Sequence, residues 1–303
     1  MAIIRGRYIS LTRSSERRIR QQEHLQKLGL AGYYSWFPAI SGDPAIARQR
    51  KLLPGEWGLW QSWLSLLREE NKQSEATFDW LHVIEDDAEL SPIFLEVCKK
   101  LKPDKPNFDL LFTDMYVNPS IHRFLAKEHQ RLKTSSNIRI ETDLYTGCAS
   151  SVLIHRNCIP TVLRCLQISV NKHGALLPLD NQLRRLVHTK QLRFARTAPF
   201  LTCVQNESIE KSTIQKREKE DLSIVLTQKI CTNLRRQLSV LNSKDSAEEL
   251  IQLLKELSRY HDEPSTTDLT TEISLQLMNI ADSAKLFRYG QQPRLAGEPD
   301  NPQ

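Results

Sequence analysis

Three consecutive carboxylates, Glu85, Asp86 and Asp87, follow directly on the apolar run Trp80-Leu81-His82-Val83-Ile84. Such a run reads as a buried strand. Unpaired carboxylates are expensive to bury, so the three acids must gather where the strand emerges. In open α/β sheets, ligands bind at that end of the strands. Adjacent carboxylates repel one another and resist joint ionisation. A divalent cation relieves the repulsion, and oxygen donors suit Mg²⁺ or Mn²⁺, which also bridge phosphates. One coherent use is therefore to clamp a diphosphate as it departs. The same residues serve equally well as a solvated acidic turn stabilised by the N-terminus of a following helix. Three acids in a row are not a specific motif.

The elements that would position this cluster can be read outward from it. Ile3 to Leu11 is β-prone. Ser14 or Ser15 can cap a helix running to Leu28, with Gly29 as its stop. Tyr33 to Ile40 is a second strand, so the first 42 residues read β-α-β and favour a parallel sheet. Pro54-Gly55 reads as a turn. Trp57, Trp60, Trp63, Leu64 and Leu67 then have helical spacing over Glu56 to Glu70. This aromatic stripe suits core packing better than a ligand platform. Ser91-Pro92 opens another helix, and Phe108 to Thr113 is a strand ending at Asp114. Residues 118–137 are polar and basic and have no clear assignment. Tyr145 to Ile154 reads as a strand beginning at Thr146-Gly147, followed by a helix from Pro160 to Ile168. Pro178 to Leu183 is a loop entering a helix, and 193–195 and 200–204 are late strands.

The rest of the chain bounds the answer. Its 303 residues are 40% hydrophobic and 26% charged, which fits one large globular domain or one domain with an appendage. The net charge of +6 is modest for this length. Its basic residues are not interleaved with aromatics as in a nucleic-acid module, so no nucleic-acid partner is expected. Six cysteines without CxxC or zinc spacing read as buried thiols. MAIIRGRYISL has no signal-peptide pattern, and no stretch is long and apolar enough for a membrane helix. The expectation is a cytoplasmic protein whose only membrane contact is peripheral, on the inner face of the cytoplasmic membrane. Beyond about residue 215 strand signals give way to helical periodicity, with Leu222, Leu226, Ile230, Leu234, Leu238 and Leu241 on one face. The expected division is an α/β domain over 1–215, a helical extension over 216–289 and a disordered tail over 290–303.

Several segments together resemble the family 25 glycosyltransferases, the lipooligosaccharide sugar transferases and their collagen galactosyltransferase relatives. They are YISLTRSSERR from Tyr8, FPAISG from Phe37, PGEWGLWQSWLSL from Pro54, VIEDDAEL from Val83, TGCASSVLIHRNCIPTVL from Thr146, PLDNQL from Pro178 and APFLTCVQNESI from Ala198. They fall in the family's order. The resemblance implies a GT-A-like, Rossmann-like fold and inverting transfer from a nucleotide sugar, often UDP-galactose. It implies a glycan or glycolipid acceptor, with bacterial lipopolysaccharide or capsule favoured. Ser10, Leu11, Thr12 and Arg13 would cradle the nucleotide, with Arg17 a weaker candidate. Glu85 and Asp86 would serve the donor, and Asp87 would face a Mn²⁺ or Mg²⁺ ion. Asp180 matches the family's P-x-D aspartate and is the candidate base for the acceptor hydroxyl; it would equally serve as an N-cap for a helix from Asn181. Gly147 would let a sugar approach the backbone, or serve a tight turn.

One departure stands out. The family's cysteine and histidine are replaced by Leu59 and Trp63, while Ser62 is retained. Trp63 could stack on an acceptor sugar. The loss of the histidine also admits a second reading, a catalytically degenerate sugar-binding or scaffold protein.

Overall fold

The first strand is built by alternation. In β1 (Ile4–Leu11), Ile4, Gly6 and Tyr8 turn inward while Arg5 and Arg7 turn to the other face. Both arginines meet one buried carboxylate, Glu70, at 3.1 Å and 2.6 Å. Glu70 lies on α3 (Pro54–Lys72). A polar pair thus ties that long helix to the sheet, while its tryptophans fill the space between. The structure, a computed structural model, describes residues 2–72, 77–102, 104, 106–115, 131, 138–143, 145, 147–205, 229–230, 232–236, 239 and 252–253.

Between β1 and α3 lie α1 (Ser15–Lys27), β2 (Tyr34–Ala39) and α2 (Pro44–Gln49). The expected β-α-β unit is observed, and β1 pairs parallel with both β2 and β3 (Trp80–Glu85). Then come β4 (Ala88–Leu90), α4 (Phe94–Lys99), β5 (Leu110–Phe112), β6 (Arg139–Glu141), β7 (Ser151–His155), α5 (Ile159–Asn171), α6 (Leu179–His188), β8 (Phe194–Ala198) and β9 (Thr202–Val204). The main sheet has the order β2-β1-β3-β7-β5-β8-β6. It is mixed, because β7 runs antiparallel to both β3 and β5, and β6 antiparallel to β8. Apolar side chains cover both faces. Trp60, Trp63 and Leu67 of α3 pack with α5 and α6 on one side. Tyr8, Leu25, Trp80 and Phe94 form the core on the other. This is the expected α/β class, with a Rossmann-like parallel part built from β2, β1 and β3.

Four local expectations change. Pro54-Gly55 is not a turn but the first turn of α3. Proline's fixed φ and missing N–H suit that position, and Glu56 reaches back to accept from the Leu53 N–H at 2.7 Å. The strand expected over 145–154 forms only as Ser151–His155, since residues 148–150 turn and Gly147 makes a single bridge to Met115. A strand, β4, stands where the sequence suggested only a lead-in to a helix; it pairs antiparallel with β9. The strand β6, held by Arg139, Arg196 and Glu141 ion pairs, has no strong apolar signal and was not expected.

The five described cysteines are free thiols, as expected. Most of 118–137, the boundaries and most of the helical extension, the tail and Cys231 lie outside the described residues. Among those of the extension that are described, Ile230 and Leu234 are buried, and Ser239 bridges to Phe200. No described helix is long and apolar enough to cross a membrane.

Candidate active site

The carboxylates form the tight turn from β3 into β4. Its two sides are fixed by backbone bonds: Glu85 N–H donates to Ser150 O at 3.0 Å, and Gln205 N–H to Asp87 O at 2.9 Å. Because β4 intervenes before α4, the acids do not sit at that helix's N-terminus, and a helix dipole does not explain them.

Each acid meets a different environment. Asp86 is buried and accepts from the Ser10 hydroxyl at 2.5 Å. Arg17 reaches Asp87 Oδ2 at 2.6 Å and Asp86 Oδ1 at 3.2 Å. Among the described residues no side chain hydrogen-bonds the Glu85 carboxylate. Burial, then the charges of Asp87, Asp180 and Asp86, push its pKa well above the ordinary glutamate value, with Arg17 opposing. Burial also raises Asp86, against Arg17 and the Ser10 bond.

A cavity of about 180 Å³ opens beside this cluster. Ser10, Leu11 and Arg13 line it from the end of β1, with Ser14 and Arg17 from the start of α1. Ile40, Ser41 and Gly42 after β2 form a second wall, and Pro54, Gly55, Gly58 and Ser62 of α3 a third. Glu85 and Asp86 close the floor. Two helices therefore begin at one cavity, and the side chain of Ser14 caps none of the free N–H groups at the start of α1. Thr12, expected in the cradle, does not line it; its carbonyl and that of Leu11 accept from Arg18, whose guanidinium lies 4.5 Å over the Trp36 ring.

The walls close because glycine allows it. A Cβ on Gly42 would lie 1.8 Å from the Pro54 carbonyl oxygen, so the loop after β2 presses directly on the start of α3. Ser62 pins the same contact, accepting from Ile40 N–H at 2.8 Å and donating to Gly58 O at 2.7 Å. Sequence reasoning missed Gly42, Gly58 and Ser62 as site-shaping residues. Their signal was present in FPAISG and in the four-residue spacing of Gly58 and Ser62.

Asp180 lies across the cluster. It is the second residue of α6, two positions after the N-cap Pro178, and it accepts from the Ala149 N–H at 2.5 Å. Burial raises its pKa, while the Ala149 N–H and Arg235 oppose. It is near enough to Glu85 for its charge to help raise the Glu85 pKa.

The two expected acceptor contacts are not offered by this arrangement. Trp63 is wholly buried in the core, so its ring presents no face to a sugar; helical spacing placed it on the same inward stripe as Trp60 and Leu67. Gly147 is buried as well, and a Cβ there would meet the Phe112 ring at 2.6 Å. Close ring packing, not access for a sugar, accounts for that glycine.

The donor set fits a hard cation by chemistry, since all four acids offer oxygen. It does not fit one by arrangement. Among the described residues no three His, Cys, Asp or Glu side chains are grouped to hold a metal. Asp87, the expected ligand, is engaged by Arg17.

No family model matches the chain, and no curated protein matches it. Among solved structures it matches a mutant of the Drosophila β-1,4-galactosyltransferase 7 crystallised with manganese, UDP-Gal and xylobiose. The identity is 10% and the TM-score 0.35, over 73% of this chain and 79% of that one. At that score the likeness says nothing about this chain's chemistry.

Proposed function

We propose that this chain is a GT-A-type inverting glycosyltransferase that moves a sugar, galactose from UDP-galactose being favoured, to a glycan or glycolipid acceptor such as lipopolysaccharide or capsule oligosaccharide. One observation carries the reading: a half-buried Glu85, its carboxylate without a hydrogen bond from any described side chain, stands at a cavity where two helices start and two arginines converge. Arg13, Arg17 and the free N–H groups of α1 suit a diphosphate. Ser10 holds Asp86 in the floor. Asp180 is the proposed base: its raised pKa makes it a better proton acceptor for an attacking hydroxyl than an ordinary aspartate. Leu11 and Ser41 shape the nucleotide side. The cytoplasmic location, with contact limited to the inner membrane face, belongs to the same reading.

A Mn²⁺ or Mg²⁺ ion would need Asp87 to leave Arg17, so no step is assigned to it; in this arrangement Arg17 supplies the positive charge beside the acids. That engagement, together with the buried Trp63 where the family histidine is expected, favours a second reading: a degenerate, sugar-binding or scaffold protein. Calorimetry with UDP-galactose, followed by a turnover assay with and without Mn²⁺, separates the two. Binding with turnover supports the enzyme. Glycan binding with no turnover of any nucleotide sugar supports the scaffold and refutes transfer.

A further inference from the structure

The short turn of residues 148–150 carries both halves of the candidate site. Its Ser150 carbonyl accepts from the Glu85 N–H, and its Ala149 N–H donates to Asp180. What holds this turn comes from far along the chain. Arg235 donates from Nη2 to Ser150 Oγ at 2.8 Å and contacts Cys148 Sγ at 3.7 Å, so it grips both residues flanking Ala149. Its other contacts go to Asp114, at the end of β5: Nε reaches Oδ1 at 2.5 Å and Nη2 pairs with Oδ2. Ser150 Oγ closes the ring by donating to Asp114 Oδ2 at 2.7 Å. Asp114 is fully buried, and Arg235 nearly so.

The helical segment bearing Arg235 is anchored independently. Ile230 and Leu234 are buried, and the adjacent Arg236 pairs with Glu89 of β4. A buried, bidentate pair of this kind is a costly way to gain stability alone, but it fixes geometry well.

We propose that Arg235 is a positioning residue of the site: by clamping the 148–150 turn against Asp114 it keeps the Asp180 carboxylate and the Glu85 backbone in place. The C-terminal segment is then a working part of the α/β domain rather than an appendage. The proposal rests on the transferase reading for its consequence in catalysis, but not for its geometry.

The test uses the full chain labelled with ¹⁵N-alanine. The Ala149 amide resonance, identified by its loss of downfield shift in Asp180→Asn, reports the bond to Asp180 directly. In Arg235→Ala it should move upfield and exchange with solvent about tenfold faster, with Arg235→Lys in between. Should Arg235→Ala fail to fold, Ser150→Ala decides, because it removes only the hydroxyl linking the ion pair to the turn and should shift the same resonance. An unmoved Ala149 amide in the folded variant overturns the proposal. In parallel, kcat for UDP-galactose turnover should fall about tenfold in Arg235→Ala with donor KM unchanged, and Arg235→Lys should recover part of it. If the wild-type chain turns over no nucleotide sugar, the transferase reading fails, while the amide result still decides the positioning.

Discussion

Ser10 and Asp86, 76 residues apart in sequence, share a buried hydrogen bond of 2.5 Å that joins the tip of β1 to the acidic turn after β3. The parallel pairing of the two strands makes this possible, since Ile9 lies opposite Glu85 in their register. The hydroxyl is the neutral partner of a carboxylate that Arg17 and a backbone N–H also support. Ser10→Ala should cost about 1.5–3 kcal/mol of stability, the range for losing a hydrogen bond to a charged group. Urea unfolding at neutral pH measures it. A loss near zero would mean that the carboxylate rehydrates and that the floor of the cavity is open.

Glu85 sets a pH dependence with a definite sign. Its folded pKa is raised, so the folded protein holds a proton that the unfolded chain releases. The stability it contributes is complete below the ordinary glutamate value of 4.5 and is lost as pH climbs through the raised one. Asp86 and Asp180 are displaced in the same direction. Glu85→Gln should therefore unfold at a higher temperature than the parent at neutral pH in EDTA, and the gap should close toward pH 4.5. Thermal melts across that range check it; a gap that widens on acidification contradicts the assignment.

Arg17 occupies the Asp86 and Asp87 oxygens that a divalent cation would need. Arg17→Ala should leave both acids uncompensated and raise the melting-temperature increase produced by MnCl₂ relative to that of the parent. The same variant should weaken UDP binding about tenfold at low salt, and less as salt rises. Equal manganese shifts in both proteins would place any bound ion away from this turn.

Gly42 should not tolerate a side chain. The Cβ in Gly42→Ala would meet a backbone carbonyl, which cannot rotate away. The start of α3 must move, at a cost of about 1–3 kcal/mol, and UDP affinity should fall with it. Calorimetry on the folded variant tests the second half. Unchanged affinity would show that the nucleotide does not touch this wall.

Trp63 offers a contrast between core and acceptor roles. Trp63→Ala should cost about 3–5 kcal/mol, while Trp63→Phe, which keeps most of the volume, should retain acceptor binding. Loss of glycan binding by a stable Trp63→Phe protein would restore the stacking role that its burial denies.

Much of this was legible in residue patterns. Alternation in Ile4–Leu11 and the apolar run from Trp80 marked two strands, and the Trp57–Leu67 spacing marked α3, because burial imposes a period on each element. The acidic turn was visible for the same reason: carboxylates cannot follow a buried strand into the core. Short strands were less legible. β4 and β6 are three residues each, held by partners far along the chain, and too short for an alternation to stand out from the surrounding sequence.

Sequence alone thus determined the α/β class and the place of the acids at a strand end, since each follows from local hydrophobic pattern; the candidacy of Asp180 is what the family resemblance implies. Tertiary structure decided which groups meet. It sent Trp63 inward, engaged Asp87 with Arg17, left the Glu85 carboxylate without a hydrogen bond from any described side chain, and brought Arg235 to the turn between Asp114 and Asp180. Those outcomes depend on strand register and on charges distant in sequence, and the energy of an ion pair is fixed by separation and burial in space, which no residue pattern encodes.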